Sequence, residues 1–177
     1  PMTDLTPIDA QAAFTGTVAP TGADILDEIK LAEWMTANVA GFEGPVQALK
    51  FAGGQSNPTY RLNAKSGSYV LRRKPLGMLL PSAHAVDREY KVIAGLHPTG
   101  FPVAKPYGLC TDDSVIGSWF YIMDMVEGRT IWDGAMPGSN PTERCATYEA
   151  MIDTLAALHN VDVEAAENHL LGGLVLH

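Results

Sequence analysis

Three short segments joined by turns do most to limit what this chain can fold into. Residues 46–51, 59–64 and 68–73 have the composition of β-strands, and the last of them alternates in side-chain character. The stretch 53–58 contains Gly-Gly and Asn-Pro, and 66–67 is a Ser-Gly turn. Because consecutive strands joined by short turns pair antiparallel, we predict an antiparallel sheet in the middle of the chain.

Helices are predicted before and after this sheet. Residues 24–39 place Ile25, Ile29 and Trp34 near helical spacing, which predicts an apolar stripe against the core. A second helix is predicted at 82–96, where one face carries Val86, Glu89, Tyr90, Ile93 and Leu96. The class predicted is therefore α+β.

The second half of the chain adds a hairpin and a further helix. Strands are predicted at 107–111 and 118–126. Asn140, Pro141 and Glu143 then form the start of a helix, with a capping asparagine, a first-turn proline and an acid three residues after the cap. The apolar stripe of this helix comprises Cys145, Tyr148, Met151, Ile152, Leu155 and Leu158.

The composition suits a soluble globular protein. Of the 177 residues, 46% are hydrophobic and 18% are charged, which is enough apolar material to bury a core. We divide the chain into an N-terminal arm and helix at 1–45, a strand-rich lobe at 46–127, and a linker with the first part of an incomplete helical lobe at 128–177.

The net charge of −8 argues against nucleic acid as a partner, since phosphate backbones are bound by clustered Lys and Arg. One local basic cluster stands out nonetheless, at Arg72, Arg73 and Lys74. Such a cluster on an acidic protein is suited to a small phosphorylated ligand. It is equally compatible with a solvated strand end.

The two cysteines, Cys110 and Cys145, have no metal-binding spacing, and both are expected to be buried free thiols. This fits a reducing compartment. The sequence has no apolar run of membrane-spanning length, and its start does not resemble a signal peptide. A cytoplasmic location with no membrane partner is therefore predicted.

The turn at Gly53 and Gly54 could approach an anion closely, because glycine has no Cβ and tolerates positive φ. Ser56 and Asn57 could then direct polar groups at phosphate oxygens, although a plain hairpin turn has the same composition.

A buried acid supplies a second signal. Glu89 lies within the apolar stripe of its helix, where a carboxylate needs a cation. Arg72 on the third strand is the natural partner. Such an ion pair could be purely structural, or it could hold a residue that contacts phosphates.

A third signal is the apolar strand that ends at Gly128. The backbone edge of Met123, Asp124, Met125 and Val126 could hydrogen-bond a flat base, with the apolar side chains as walls. An interior strand that ends at a turn is the alternative.

Taken in order, these strings resemble one known family. GGQSNPTY, YVLRRKP, LLPSAHAVDREY and FYIMDMVEGR are similar to the aminoglycoside phosphotransferase and choline-kinase-like family, in a branch associated with acyl-CoA dehydrogenases. The resemblance covers 51–162. It implies a protein-kinase-like N-terminal lobe, with residues 140–160 as the first long helix of a C-terminal lobe.

The resemblance also implies roles for the residues singled out above. Gly53, Gly54, Gln55, Ser56 and Asn57 would cover the phosphates of ATP. Arg72 would stand where the family's phosphate-contacting lysine stands, with Glu89 as its partner; Arg73 and Lys74 remain open as alternatives. The base pocket would be formed by Met123 at its back, the Asp124 carbonyl, the Met125 side chain and the Val126 amide.

The family's catalytic loop, His-x-Asp followed by Asn, does not occur in this sequence. No catalytic residue and no metal ligand is therefore assigned, although the full family enzyme is expected to use Mg²⁺. We predict the ATP-binding part of a small-molecule phosphotransferase that is inactive alone. The alternative is a non-catalytic interaction module, which would form a homo-oligomer or await a C-terminal lobe.

Overall fold

The computed structural model of the chain describes residues 16–52, 57–76, 86–131 and 133–167. Within these ranges the strands form one antiparallel sheet in the order β1-β2-β3-β4-β6-β5. Their bounds are β1 Thr17–Val18, β2 Val46–Phe51, β3 Thr59–Ala64, β4 Gly67–Arg73, β5 Pro106–Cys110 and β6 Phe120–Asp124. The predicted α+β class is confirmed, and β1 is an addition to the predicted strands.

The first helix, α1 (Glu28–Asn38), covers one face of the sheet. Leu31 and Met35 are fully buried on it, whereas Ile25 and Ile29 are 62% and 75% exposed. The predicted stripe of Ile25, Ile29 and Trp34 was therefore wrong for both isoleucines. The helix begins only after Asp27, whose side chain accepts a hydrogen bond from Lys30 N. Ile25 is thus outside it, and the i, i+4 pair at 31 and 35 faces the sheet.

Two further helices follow β4. Helix α2 (Val86–Leu96) packs against β5 and β6 and has the predicted C-terminal end; residues 82–85 of the predicted helix lie outside the described ranges. Helix α3 (Asp113–Ile116) occupies the predicted hairpin turn, where Asp112 caps it by accepting a hydrogen bond from Ser114 N. The strands on either side of α3 pair as predicted.

Helix α4 (Pro141–His159) begins at the predicted cap. Asn140 Oδ1 accepts from Glu143 N at 2.9 Å, and Glu143 Oε2 accepts from Asn140 N at 3.1 Å, which is a complete capping box. Its apolar stripe is solvent-exposed in the described structure, with Met151 and Ile152 at 60% and 65% exposure.

The two cysteines differ in their surroundings. Cys110 is buried as predicted, but Cys145 is exposed, because the α4 stripe that carries it has no covering element among the described residues. In the part of the chain that the structure describes, none of the helices has the length and apolar content needed to cross a membrane.

Candidate functional site

A cleft of about 690 Å³ lies between the face of the sheet opposite α1 and the segment that follows β6. Val70 of β4 and Met123 of β6 lie side by side in the sheet and both line it. The segment 124–130 forms its outer wall. The lining is completed by Gly16, Thr17, Phe51, Arg61 and Ala104.

Strand alternation explains which side chains of β4 face this cleft. Tyr69, Leu71 and Arg73 are buried on the α1 face, so Val70 and Arg72 belong to the opposite face. Arg72 is paired with Tyr121 of β6, as Val70 is with Met123. Arg72 therefore lies two residues along β4 from the cleft floor, a separation of roughly 7 Å.

Arg72 and Glu89 form the predicted ion pair. The Arg72 Nε to Glu89 Oε2 distance is 3.1 Å, and Arg72 Nη2 donates to Glu89 Oε1 at 3.4 Å. The Nε–H is not aligned with the carboxylate, so the contact at that atom is ionic rather than a hydrogen bond. Both side chains are about one-third exposed, at 33% and 35%. The pair is therefore partly accessible to solvent and is screened by water.

Glu89 is held by two more donors. Asn57 Nδ2 donates to Glu89 Oε1 at 2.8 Å, and the Tyr121 hydroxyl donates to Oε2 at 3.2 Å. Burial raises the pKa of Tyr121, with a further rise from the Glu89 charge that the Arg72 charge opposes. The phenol thus remains a donor at neutral pH, and three different segments converge on one carboxylate.

The three basic residues of the cluster have separate environments. Arg73 is 2% exposed on the α1 face, where Nη2 donates to the Ala23 carbonyl at 2.8 Å. Lys74 Nζ lies 5.7 Å from the centre of the Trp119 ring. Of the three, Arg72 alone has a recorded ion pair with Glu89 in the described structure. This favours Arg72 among the alternatives that the sequence left open.

The residues predicted to meet a base, Met123, Asp124, Met125 and Val126, all line the cleft. Val126 is 65% exposed. The Asp124 side chain is turned to β5, where Oδ1 accepts a hydrogen bond from the Tyr107 hydroxyl. Burial and this hydrogen bond raise the pKa of Tyr107 to about 12.

Some predicted residues are not part of this description, and some lining residues were not predicted. Gly53, Gly54, Gln55 and Ser56 lie outside the described residues. Arg61 was not among the predicted site residues, yet it lines the cleft because β3 pairs it with Val70. Its guanidinium is held by Asn63 Oδ1 at 3.0 Å and Ser68 Oγ at 3.3 Å. Thr17, Phe51 and Ala104 enter the site through tertiary pairing, which gives no local sequence signal.

No group of three or more His, Cys, Asp or Glu side chains suited to a metal ion occurs within the described ranges. Glu127 lines the cleft and is exposed, whereas two other acids near the cleft are engaged. Glu89 is bound to Arg72 and Asp124 to Tyr107.

This arrangement can be compared with known proteins. A family model described as "Phosphotransferase enzyme family" (APH) matches residues 47–170, which is more than half of the chain. The chain belongs to this family. The six-stranded sheet with its helices is the α+β architecture expected of a kinase-like member.

Individual relatives provide a second comparison. The chain is 42% identical over 145 residues to human acyl-CoA dehydrogenase family member 11, and 46% identical over 147 residues to the "Probable acyl-CoA dehydrogenase IBR3" of Arabidopsis thaliana. These matches cover 80% and 78% of the chain but only 19% and 18% of the relatives. The predicted association with an acyl-CoA dehydrogenase branch is thus confirmed.

A solved structure matches as well. The crystal structure of a "putative aminoglycoside phosphotransferase" from Ralstonia eutropha JMP134 superposes with a TM-score of 0.69 at 45% sequence identity. The match covers 80% of this chain and 40% of that one. The chain therefore spans about a fifth of the curated relatives it matches and two fifths of the bacterial protein.

Proposed function

We propose that this chain is the ATP-binding part of a phosphotransferase that moves a phosphoryl group from ATP to a substrate hydroxyl. The observation that carries the proposal is the Arg72–Glu89 pair, which lies on the same face of the sheet as the cleft, two residues along β4 from Val70. A cation held by a carboxylate, yet one-third exposed, keeps N–H donors available for phosphate oxygens.

The cleft suits a nucleotide in its volume, and apolar and basic residues follow one another along β4 as the base and phosphates of a nucleotide would require. Its volume of about 690 Å³ is within the range of small-molecule sites. A flat base would rest on Val70 and Met123, with its phosphates directed along β4 toward Arg72. The turn at 53–56 would cover them.

We assign no Mg²⁺ ligand among these residues. Of the described acids near the cleft, Glu89 is engaged with Arg72 and Asp124 with Tyr107, and Glu127 joins no group of three or more potential metal ligands within the described ranges. The His-x-Asp motif of the family is likewise not among these 177 residues. We therefore assign nucleotide binding to this chain and no step of the transfer itself. A cytoplasmic location stays a prediction from the sequence.

Titration of the chain with ATP, ADP, AMP and adenosine, followed by calorimetry, tests this proposal. We expect saturable binding of ATP, and affinity that falls by about tenfold or more for each contacted phosphate removed, because each charge-assisted hydrogen bond is worth about 1.5–3 kcal/mol. Adenosine binding as tightly as ATP would contradict a phosphate site. If no heat of binding is detected with millimolar ATP, the proposal is contradicted.

For the whole protein we propose an acceptor hydroxyl on an acyl-type substrate. The support is that the relatives are named as acyl-CoA dehydrogenases. The matched region is only a small share of each of them. Mixing the full-length protein with terminally labelled ATP and a hydroxyacyl-CoA should give a labelled acyl product. The matching acyl-CoA without a hydroxyl should remain unlabelled.

A second candidate function is a non-catalytic interaction module. The exposed stripe of α4 favours it, because Met151, Ile152 and Leu155 are 60%, 65% and 53% exposed. If this surface mediates assembly, light scattering should detect a dimer or larger species that Leu155→Lys disperses. A monomer at high protein concentration would argue against it.

A further inference from the structure

A register shift in β5, of the kind that a β-bulge makes, gives one tyrosine an unusual place. Pro106 lies opposite Met123 of β6 and Gly108 lies opposite Ile122, so Tyr107 is an extra residue between two ladder pairs. A bulge changes the direction of the side chain that it carries. The direction of Tyr107 thus follows from the bulge rather than from the regular alternation of the strand.

Tyr107 is directed at the end of the neighbouring strand. Its hydroxyl donates to Asp124 Oδ1. Its ring is held from two sides, by the edge-to-face Tyr69 ring at 5.4 Å between centres and by Lys105 Nζ at 5.0 Å from its own centre. Burial, together with the hydrogen bond to Asp124, raises the pKa of Tyr107 to about 12, so the phenol keeps the proton that it donates at neutral pH.

Asp124 is the point at which the outer wall of the cleft leaves the sheet. It is the last residue of β6, and its pairing with Tyr69 is the last in the ladder between β6 and β4. Its backbone N–H donates to the Lys105 carbonyl at 2.9 Å. Val126, two residues further along, is already 65% exposed. The position of the backbone at 125–126 therefore depends on how firmly Asp124 is held.

We propose that Tyr107 is a positioning residue that sets the base selectivity of the cleft by holding Asp124. Adenine has an amine donor beside a ring-nitrogen acceptor, which match the Asp124 carbonyl and the Val126 amide. Guanine has a carbonyl and a ring N–H in the same places and reverses this pattern. Backbone groups distinguish the two bases only when their positions are fixed, because a backbone that shifts can adjust to either. This inference rests on the proposed nucleotide site and deepens it, because it names adenine nucleotides as the preferred ligand class.

Tyr107→Phe removes the hydroxyl and keeps the ring. We expect the ratio of ATP affinity to GTP affinity, measured by calorimetry, to fall by about fivefold, the size of one net hydrogen bond. Affinity for inorganic tripolyphosphate, which has no base, should change by less than about twofold. Asp124→Ala should lower the ratio by a similar factor. The double variant should lower it no further, because both changes remove the same contact.

Tyr69→Phe is the matched control. It removes a hydroxyl that hydrogen-bonds Ser66 Oγ at 2.8 Å, from a ring that contacts Tyr107, and leaves Asp124 its own hydrogen bond. Its ratio of ATP to GTP affinity should equal that of the unmodified protein. The inference is overturned if the unmodified protein does not prefer ATP, if Tyr107→Phe leaves the ratio unchanged, or if Tyr69→Phe lowers it equally. An equal loss of tripolyphosphate affinity in Tyr107→Phe would also overturn it, since it would show a general loosening.

Hydrogen exchange without nucleotide separates this inference from the proposed function. The backbone amides of 124–126 should exchange faster in Tyr107→Phe than in the unmodified protein or in Tyr69→Phe. Unchanged exchange at these amides would show that Tyr107 does not hold the wall. If the unmodified protein fails to bind ATP while exchange in Tyr107→Phe is faster, the nucleotide site is refuted and the hold of Tyr107 on the wall is supported.

Discussion

Truncation of Arg73 to alanine is expected to lower the free energy of unfolding by about 3 kcal/mol, because it empties a fully enclosed position. The arginine is 2% exposed, and its guanidinium lies 5.7 Å from the centre of the Tyr60 ring. It also donates to the Ala23 carbonyl at 2.8 Å and lies 3.8 Å from Asp24 Oδ1. This cation therefore joins the segment before α1 to the sheet.

Arg73→Met separates packing from charge. Methionine fills most of the space of the arginine stem, so the cost should be about 1–2 kcal/mol, mainly the lost hydrogen bond. Asp24 is 31% exposed and keeps its ion pair with Lys50 Nζ at 2.6 Å, so the loss of its longer contact with Arg73 adds little. Urea denaturation followed by circular dichroism measures both variants. Equal costs for Arg73→Ala and Arg73→Met would show that charge, and not packing, dominates at this position.

Replacement of Arg72 by alanine is expected to weaken ATP binding strongly and to change the free energy of unfolding little. ATP affinity should fall by at least about tenfold, since a charge-assisted hydrogen bond to phosphate contributes about 1.5–3 kcal/mol. The free energy of unfolding should change by less than about 1 kcal/mol, because the ion pair is one-third exposed and Glu89 keeps Asn57 and Tyr121 as donors. Calorimetric titration with ATP and urea denaturation of the same samples give both values.

Lys74→Ala is the comparison that decides among the basic residues. Its ammonium lies over the Trp119 ring, and no ion pair with Glu89 is recorded for it in the described structure. We expect ATP affinity within about twofold of the unmodified protein. A loss of ATP affinity as large as that of Arg72→Ala would show either that Lys74 contacts the phosphates or that the cluster attracts ATP only through its overall charge.

Much of the sheet could be predicted from local signals. The bounds of β2 and β3 coincide with the predicted 46–51 and 59–64, because a sequence stretch rich in Gly, Asn and Pro separates the two β-rich segments. β1 could not be predicted in this way. It has only two residues and exists through its pairing with Lys50 and Phe51. Its place in the sheet is a tertiary effect with no local pattern.

Helix faces were harder to predict than helix positions. The sequence placed Ile25 in a core stripe, but the Asp27 cap starts α1 two residues after Ile25. The predicted stripe of α4 forms a helix as expected, but it is exposed in the described structure, since periodicity shows that residues share a face and not that the face is covered.

The candidate site was predictable where one residue violated a local rule. A carboxylate in the apolar stripe of α2 predicted a cation partner, and the structure pairs it with Arg72 of the neighbouring strand, as expected. Arg61 had no such signal, because its place opposite Val70 depends on strand register. Asn57 was predicted to face phosphates, and its contact with Glu89 is a tertiary one, between residues 32 positions apart in the sequence.

The most direct test is a crystal structure of the protein with a non-hydrolysable ATP analogue. The predicted result is a base against Val70 and Met123, with phosphate oxygens within about 3 Å of the Arg72 guanidinium while Glu89 still holds it. A nucleotide bound elsewhere, or one in the cleft whose phosphates point away from Arg72, would contradict the account.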